Sequence, residues 1–219
     1  NEIKTQKHIY RVHDLPDKEK LKSLKYIVKS FGYNLDLTSS KGISKSLNKL
    51  LHQIKGKEEQ NLIESLALRS MSKAEYSTIN IGHYGLAFTN YTHFTSPIRR
   101  YPDVLVHRLL EQIQKKNFGK LDKNLQKKAI YCSEQEMVAA KAERDSIKFM
   151  QIKFMQDKIG EAFSGIISGV SDWGIYVEIE ENKCEGMVYI KDIEDDKYYY
   201  SEQQQAILGK KTNKKYTLG

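Results

Sequence analysis

The chain has 219 residues, 39% hydrophobic and 29% charged, enough for one or two globular domains. No apolar run approaches the ~20 residues that a membrane-spanning helix needs, so no such helix is expected. The net charge of +8 and a pI near 9.2 favour a polyanionic partner, nucleic acid ahead of an anionic membrane, although a merely Lys-rich surface would give the same balance.

In chain order, the opening Asn1-Glu2-Ile3-Lys4 is neither an initiator Met nor a signal peptide, and a piece of a longer chain is expected. Residues 17–33 predict a helix with Leu21, Leu24, Val28 and Phe31 on one face and Gly32 as its stop. Residues 34–42 read as a loop. Ile43, Leu47, Leu50, Leu51 and Ile54 mark a second helix that ends near Gly56, and a third runs from Glu58 to Lys73 with Leu62, Ile63 and Leu66 inward. Gly82 and Gly85 then break the helical period, and Gly85-Leu86-Ala87-Phe88 reads as a short strand. Helices over 102–116 and 122–157 follow, the second with Ile130, Met137, Ala140 and Ile147 at helical intervals. After Gly160 the period becomes two, with extended runs at 163–169, 175–179 and 187–190. A domain boundary is therefore expected near 157–162. Cys132 and Cys184 lie far apart, in neither a metal spacing nor a disulfide framework, which suits a reducing cytoplasm.

Residues 92–108 read Thr-His-Phe-Thr-Ser-Pro-Ile-Arg-Arg-Tyr-Pro-Asp-Val-Leu-Val-His-Arg. Thr95 and Ser96 are good N-caps, and Pro97 suits a first helical position. Pro102 disfavours the helical region for Tyr101, so a short turn is expected before the helix proper. Arg99 and Arg100 then sit close to a helix N-terminus, where free N–H groups and the dipole already favour an anion. A guanidinium adds a planar bidentate donor for phosphate. The alternative is a capped helix bearing two surface arginines.

The order of residues in this segment closely resembles the signature of the RNase II/RNase R (RNB) family of exoribonucleases. Further matching elements are Tyr10-Arg11-Val12-His13-Asp14, Leu68-Arg69-Ser70-Met71, Asn80-Ile81-Gly82-His83-Tyr84-Gly85-Leu86-Ala87 and Ala142-Glu143-Arg144-Asp145. They cover residues 9–157 in the family order, and Arg100 and Pro102 match the RNase R form of the signature. The resemblance implies processive 3′→5′ hydrolysis of RNA to nucleoside 5′-monophosphates. It implies that Arg99 contacts the reacting phosphate and Glu143 helps hold the 3′-terminal nucleotide, these two being the catalytic candidates. His93, Ser96, Arg100, Tyr101 and Arg144 are the RNA-binding candidates beside them. A cation at the scissile group offsets transition-state charge, and a carboxylate can accept a hydrogen bond from a ribose hydroxyl. For Glu143 by itself, a helix-surface ion pair with Arg144 or Lys148 is the alternative.

The family uses Mg²⁺ held by aspartates, and no such cluster is legible here. Glu178, Glu180 and Glu181, and Glu194, Asp195 and Asp196, read as solvated acidic turns. The Mg²⁺ ligands are expected outside this chain, which by itself should be inactive.

Residues 160–191 resemble an S1 domain, a five-stranded OB-type barrel whose aromatics stack on bases. The matching elements are Gly160–Ile167, Trp173-Gly174-Ile175-Tyr176-Val177 and Glu185–Ile190, and Trp173, Tyr176 and Tyr189 fall at aromatic positions of the RNA-binding face. Barrel core or strand filler is the alternative for each. Residues 191–206, acidic and with Tyr198-Tyr199-Tyr200, read as an exposed insert or helix. Thr217-Leu218-Gly219 reads as the approach to a fourth strand, so a three-strand remnant of low stability is expected.

The expected fold class is therefore α+β: a mainly helical C-terminal portion of an RNB domain over 1–157, then a partial S1 barrel over 160–219. The expected partner is single-stranded or structured RNA, with no membrane, a cytoplasmic location and a monomeric state. The leading reading is a piece of an exoribonuclease, the second a non-catalytic RNA-binding module. A purely protein-binding domain would leave the basic charge and the aromatics unused.

Overall fold

A computed structural model describes residues 8–57, 59–116, 124–202 and 204–219. The chain divides into two compact units, Leu15 and the residues before it with Ser72–Ser146, and Pro16–Met71 with Ile147–Gly219. The division falls inside the longest helix, 11 residues before the expected domain boundary at 157.

In the first unit β1 (Tyr10–His13) pairs antiparallel with β2 (Ala74–Ser77), Tyr10 opposite Ser77 and His13 opposite Ala74. β2 has no long apolar run to advertise it; its one buried apolar side chain is Tyr76, next to the buried Ser77. Tyr76 packs with Ile9, Leu105, Val106, Leu109, Leu125, Ala129 and Cys132, which join the sheet to α4 (Tyr101–Gln114) and the start of α5 (Leu125–Met155). Gly85–Phe88 is not a strand. Tyr84–Leu86 form a 3₁₀ turn, Ala87 takes a left-handed φ of 56°, and only an isolated bridge joins His83 to Phe88. The turn is held from outside: His13 Nδ1 accepts the Gly85 N–H at 3.0 Å while its Nε2 donates to the Ser72 carbonyl at 2.8 Å.

The regular spacing along α5 does not mark a core stripe. Ile130, Met137 and Ile147 are exposed, and burial stops after Leu125, Ala129 and Cys132. The reason is reach: the apolar cluster on this helix spans little more than its first two turns.

In the second unit α1 (Lys18–Ser30), α2 (Ser40–Ile54) and α3 (Gln60–Ser70) close over Leu21, Leu24, Val28, Leu35, Leu47, Leu50, Ile54, Ile63 and Ala67. Asp17 caps α1 by accepting the N–H groups of Glu19 and Lys20, and Ser39 caps α2 through Gly42 N–H. Phe31, expected inward, is exposed, because α1 ends one residue earlier and Ile27 takes the inward position.

The remaining strands form two antiparallel three-stranded sheets, β3 (Gly165–Val170), β4 (Gly174–Ile179) and β5 (Glu185–Tyr189), then β6 (Tyr198–Ser201), β7 (Ala206–Gly209) and β8 (Lys215–Tyr216). This corrects the expected exposed insert and three-strand remnant. The tyrosine run is a strand whose alternation turns Tyr198 and Tyr200 into a core shared by both sheets, with Ile175, Ile207, Ile167, Val177, Ile190 and Tyr216. The acidic turn expected to be solvated ties the second sheet together instead. Asp196 accepts the N–H groups of Lys197, Lys211 and Thr212 and the Thr212 hydroxyl, and Asp195 takes the Tyr198 hydroxyl and the Lys214 ammonium.

The Thr212 N–H, aided by the other donors, outweighs desolvation and holds the Asp196 carboxyl well below its usual range. A depressed carboxylate contributes stability above its unfolded pKa and loses it as pH falls through the folded value. Asp196→Ala should therefore lower the thermal midpoint of this barrel at pH 7, and its gap to the unsubstituted chain should narrow progressively below the ordinary carboxylate value of 3.8. Melting followed by circular dichroism across pH 7 to 2 measures it; a gap independent of pH would contradict the assignment.

Candidate nucleic-acid interface

The site is built around a carboxylate with no exposed surface. Asp103, in the first turn of α4, accepts the Ser96 N–H at 2.8 Å and the Arg100 Nη2 at 2.9 Å on one oxygen. Burial pushes its carboxyl up, but Ser96 and Arg100 outweigh that and hold it below the ordinary value. Neither Thr95 nor Ser96 is the helix cap. The N-cap is Arg100, extended at φ −126°, and the Ser96 carbonyl closes the preceding turn by accepting from Arg99 N (3.3 Å) and Arg100 N (3.1 Å). The reason is that Pro102 lies in the first turn of α4 and fixes where the regular helix starts, which leaves Thr95 and Ser96 in the separate turn before it. The break before the helix thus falls at Arg100, one residue before the Tyr101 position that Pro102 restricts. His107 Nε2 donates to the Phe94 carbonyl at 2.8 Å and clamps the segment from the helix side.

This turn sends the two arginines opposite ways. Arg100 is folded against Asp103, with its side chain 20% exposed. Arg99 is exposed, and its guanidinium has no partner among the described residues. Arg99, Arg100, Tyr101 and Pro102 form one wall of a pocket of about 650 Å³, and Glu136, Ala139, Ala140 and Glu143 of α5 form the other, with Tyr76 between them. Glu143 pairs with neither Arg144 nor Lys148: Arg144 Nε donates to the Ala140 carbonyl, and Lys148 faces Glu185. Among the described residues the pocket therefore holds a guanidinium and a carboxylate without partners, with the small side chains of Ala139 and Ala140 beside them.

Three of the first unit's sequence candidates do not line this pocket. Ser96 acts through its backbone, and Arg144 lies exposed on α5. His93 lies behind the Tyr76 wall, its Nδ1 hydrogen-bonded to the Tyr76 hydroxyl at 2.9 Å and its ring edge-on to Tyr76 and Tyr91. Burial, with Arg100 and Arg11 nearby, pushes the His93 pKa down, and burial lifts Tyr76 to about 12, so both are neutral at pH 7. Sequence reasoning missed Tyr76, Glu136, Ala139 and Ala140. The last three share the helical spacing of Glu143, but that stripe was masked by the apolar residues beside it.

Among the described residues no group of three or more His, Cys, Asp or Glu could hold a metal ion. The pocket's two carboxylates, Glu136 and Glu143, are also a poor fit for Mg²⁺, since Glu136 is bound to Arg11 and a single remaining carboxylate makes no ligand set.

In the second unit, Trp173 (69% exposed), Tyr176 (36%) and Tyr189 (42%) lie on or beside one sheet. Tyr189 is opposite Gly174 and Tyr176 opposite Met187, which puts both tyrosines on the same face, away from the Ile175–Val177 core side. Trp173 directly precedes Gly174, and its carbonyl accepts the Ile190 N–H. Gly174 is obligatory: a Cβ there would meet the Val188 carbonyl oxygen at 2.1 Å.

The first unit thus sets a buried-acid turn bearing Arg99 and a helix bearing Glu143 around one pocket, and the second unit carries two small antiparallel sheets with exposed aromatics. The chain belongs to the RNB family: the RNB domain profile matches residues 2–116, and the S1 RNA binding domain profile matches residues 156–218. It is 40% identical over 214 residues to ribonuclease R of Aquifex aeolicus, covering 96% of this chain and 30% of that protein. The structure of Mycoplasma genitalium RNase R in complex with ribose-methylated single-stranded RNA superposes with a TM-score of 0.82 at 32% identity, over 100% of this chain and 35% of that one. The same enzyme in complex with double-stranded RNA gives a TM-score of 0.71 at 29% identity, over 93% and 37%. The chain thus spans about 30% of the length of the curated relatives it matches. Among the described residues no helix is long and apolar enough to cross a membrane.

Breaking a buried ion pair from one side leaves the other charge stranded and costs ~3–5 kcal/mol. Asp103→Ala should lower the stability of the first unit by about that amount, read as a shift in urea unfolding. A loss below about 1 kcal/mol, the range of surface pairs, would show that Asp103 does not organise the turn.

Proposed function

We propose that this chain is the substrate-gripping part of a ribonuclease R-type exoribonuclease, which degrades RNA processively from the 3′ end to nucleoside 5′-monophosphates. The single observation that carries the reading is that Arg99 and Glu143, 44 residues apart, line one pocket with their charges unspent. In this reading Arg99 contacts the reacting phosphate and stabilises the charge that builds on it. Glu143 accepts a hydrogen bond from a ribose hydroxyl of the 3′-terminal nucleotide, the 2′-OH being the group that separates RNA from DNA. Tyr101 contacts the sugar–phosphate backbone at the pocket edge, Arg100 serves the RNA indirectly by locking the turn onto Asp103, and Arg144 offers a further phosphate contact. His93 and Ser96 serve the RNA indirectly, by holding Tyr76 and the Arg99 turn. No described group of residues fits Mg²⁺, which would supply an activated water if held by aspartates outside this chain.

Residues 1–157 are the C-terminal portion of the catalytic RNB domain, and 160–219 are the S1 domain, where Trp173, Tyr176 and Tyr189 stack on bases. The substrate is single-stranded or structured RNA, and the protein acts in the cytoplasm as a monomer. The second reading is a non-catalytic RNA-binding module. It is favoured by the absence, among the described residues, of a group of side chains able to hold a metal.

In the full-length protein Arg99→Ala should lower kcat by ~10²–10³, the cost of losing one transition-state donor, with RNA affinity changed only a few-fold. Single-turnover degradation of a labelled oligoribonucleotide measures the first and filter binding the second; unchanged turnover would remove Arg99 from the chemistry. The 219-residue chain itself should bind oligoribonucleotide in a steeply salt-dependent manner and quench the fluorescence of Trp173, its sole tryptophan, while releasing no mononucleotide in Mg²⁺. Mononucleotide release would show that a metal site is present in this chain.

A further inference from the structure

One face of α5 is tied to the small sheet at regular intervals. Gln126 accepts the Thr78 N–H, Ser133 accepts the Tyr76 N–H, and Glu136 takes Arg11. Ala140 and Glu143 continue the same stripe at spacings of four and three residues, but they lie beyond the last tie and line the pocket. Glu136 is thus the final fixed point before Glu143, two helical turns or ~10 Å along the axis.

That fixed point is unusually constrained. Arg11 grips Glu136 with both terminal nitrogens, at 2.6 and 3.2 Å, which sets the azimuth of the carboxylate as well as its distance. The guanidinium is in turn confined. It lies over the Tyr76 ring at 4.7 Å, its side chain is only 13% exposed, and its backbone N–H donates to the Tyr91 carbonyl at 2.9 Å. Tyr76 is itself a wall of the pocket, so one side chain braces the sheet wall and the helix wall together.

We propose that Arg11 and Glu136 are a positioning pair that sets Glu143 of α5 opposite Arg99. The pair touches no substrate. It does for the helix wall what Arg100 and Asp103 do for the turn that carries Arg99, so each uncommitted charge in the pocket is backed by an arginine–carboxylate lock. Glu136 is 43% exposed, where an ion pair contributes little to stability, so the effect should appear in geometry more than in unfolding. The inference rests on the reading of Arg99 and Glu143 given above.

The test uses the full-length enzyme, with Glu136→Gln, Arg11→Lys and the exchange Arg11→Glu/Glu136→Arg, each alone and with Glu143→Ala. A misplacement of ~1 Å at a reacting centre costs ~10²-fold. Glu136→Gln and Arg11→Lys should each lower kcat ~10- to 100-fold with KM and thermal midpoint nearly unchanged. Both should also shrink the rate ratio between oligonucleotides ending in ribose and in 2′-deoxyribose. In the Glu143→Ala background the same substitutions should have almost no further effect, because their action passes through Glu143. If Glu143→Ala lowers kcat but the losses simply multiply, or if kcat is unchanged in the pair variants, the positioning role is overturned. If Glu143→Ala itself leaves both kcat and the ribose ratio unchanged, the reading of Glu143 fails instead. The exchange variant guards against misfolding: it should fold and recover part of the ribose ratio, and a folded exchange variant as defective as Glu136→Gln counts against the pair.

Discussion

Asp103 has no surface of its own to share with water, and the local geometry of the first unit follows from that. A buried carboxylate stays charged only if donors replace its hydration, and here they are the Ser96 N–H and the Arg100 guanidinium. Pairing Asp103 Oδ1 draws Ser96 back onto the helix, closes the Ser96–Arg100 turn and turns Arg100 inward, while the buried Oδ2 has no hydrogen-bond partner among the described residues. Arg99, next in line, has no carboxylate left to fold against and points to the pocket. The adjacent arginines of the signature therefore do unlike work, one spent inside the protein and one kept free.

The pocket follows the same economy of charge on its other wall. Glu136 is consumed by Arg11, while Glu143, two turns along, has no charged partner among the described residues. The locks differ in kind. The Arg100–Asp103 pair is buried and contributes to holding the fold, whereas the Arg11–Glu136 pair is partly exposed, and its value lies in bidentate direction. Tyr76 connects the two walls through packing, its cation–π contact with Arg11 and its hydrogen bond to His93. The second unit instead exposes aromatic area, with Trp173, Tyr176 and Tyr189 on or beside one sheet.

Much of this was legible in the chain by itself, because the informative features are local. The glycine stops and the period-3.6 and period-2 patterns placed α1 to α5 and β3 to β5, whereas the caps expected at Thr95 and Ser96 gave way to Arg100. The signature around Arg99, with the Ala142-Glu143-Arg144 element, named the two charges that meet in the pocket. What misled was pattern without a partner. The stripe from Ile130 to Ile147 looks like a core face, yet nothing in the apolar cluster extends that far along α5. The Tyr198–Tyr200 run looks like an acidic insert until a second sheet gives its alternate residues a core to enter.

The sequence by itself determined the family, the order of its parts and the candidate charges, since these rest on residue identity and short-range backbone preference. Only the tertiary structure decided which charges are free. Whether an arginine meets an aspartate three residues on or a ligand, and whether a glutamate pairs with the sheet or faces a cavity, depends on long-range burial and direction. No one-dimensional spacing encodes those.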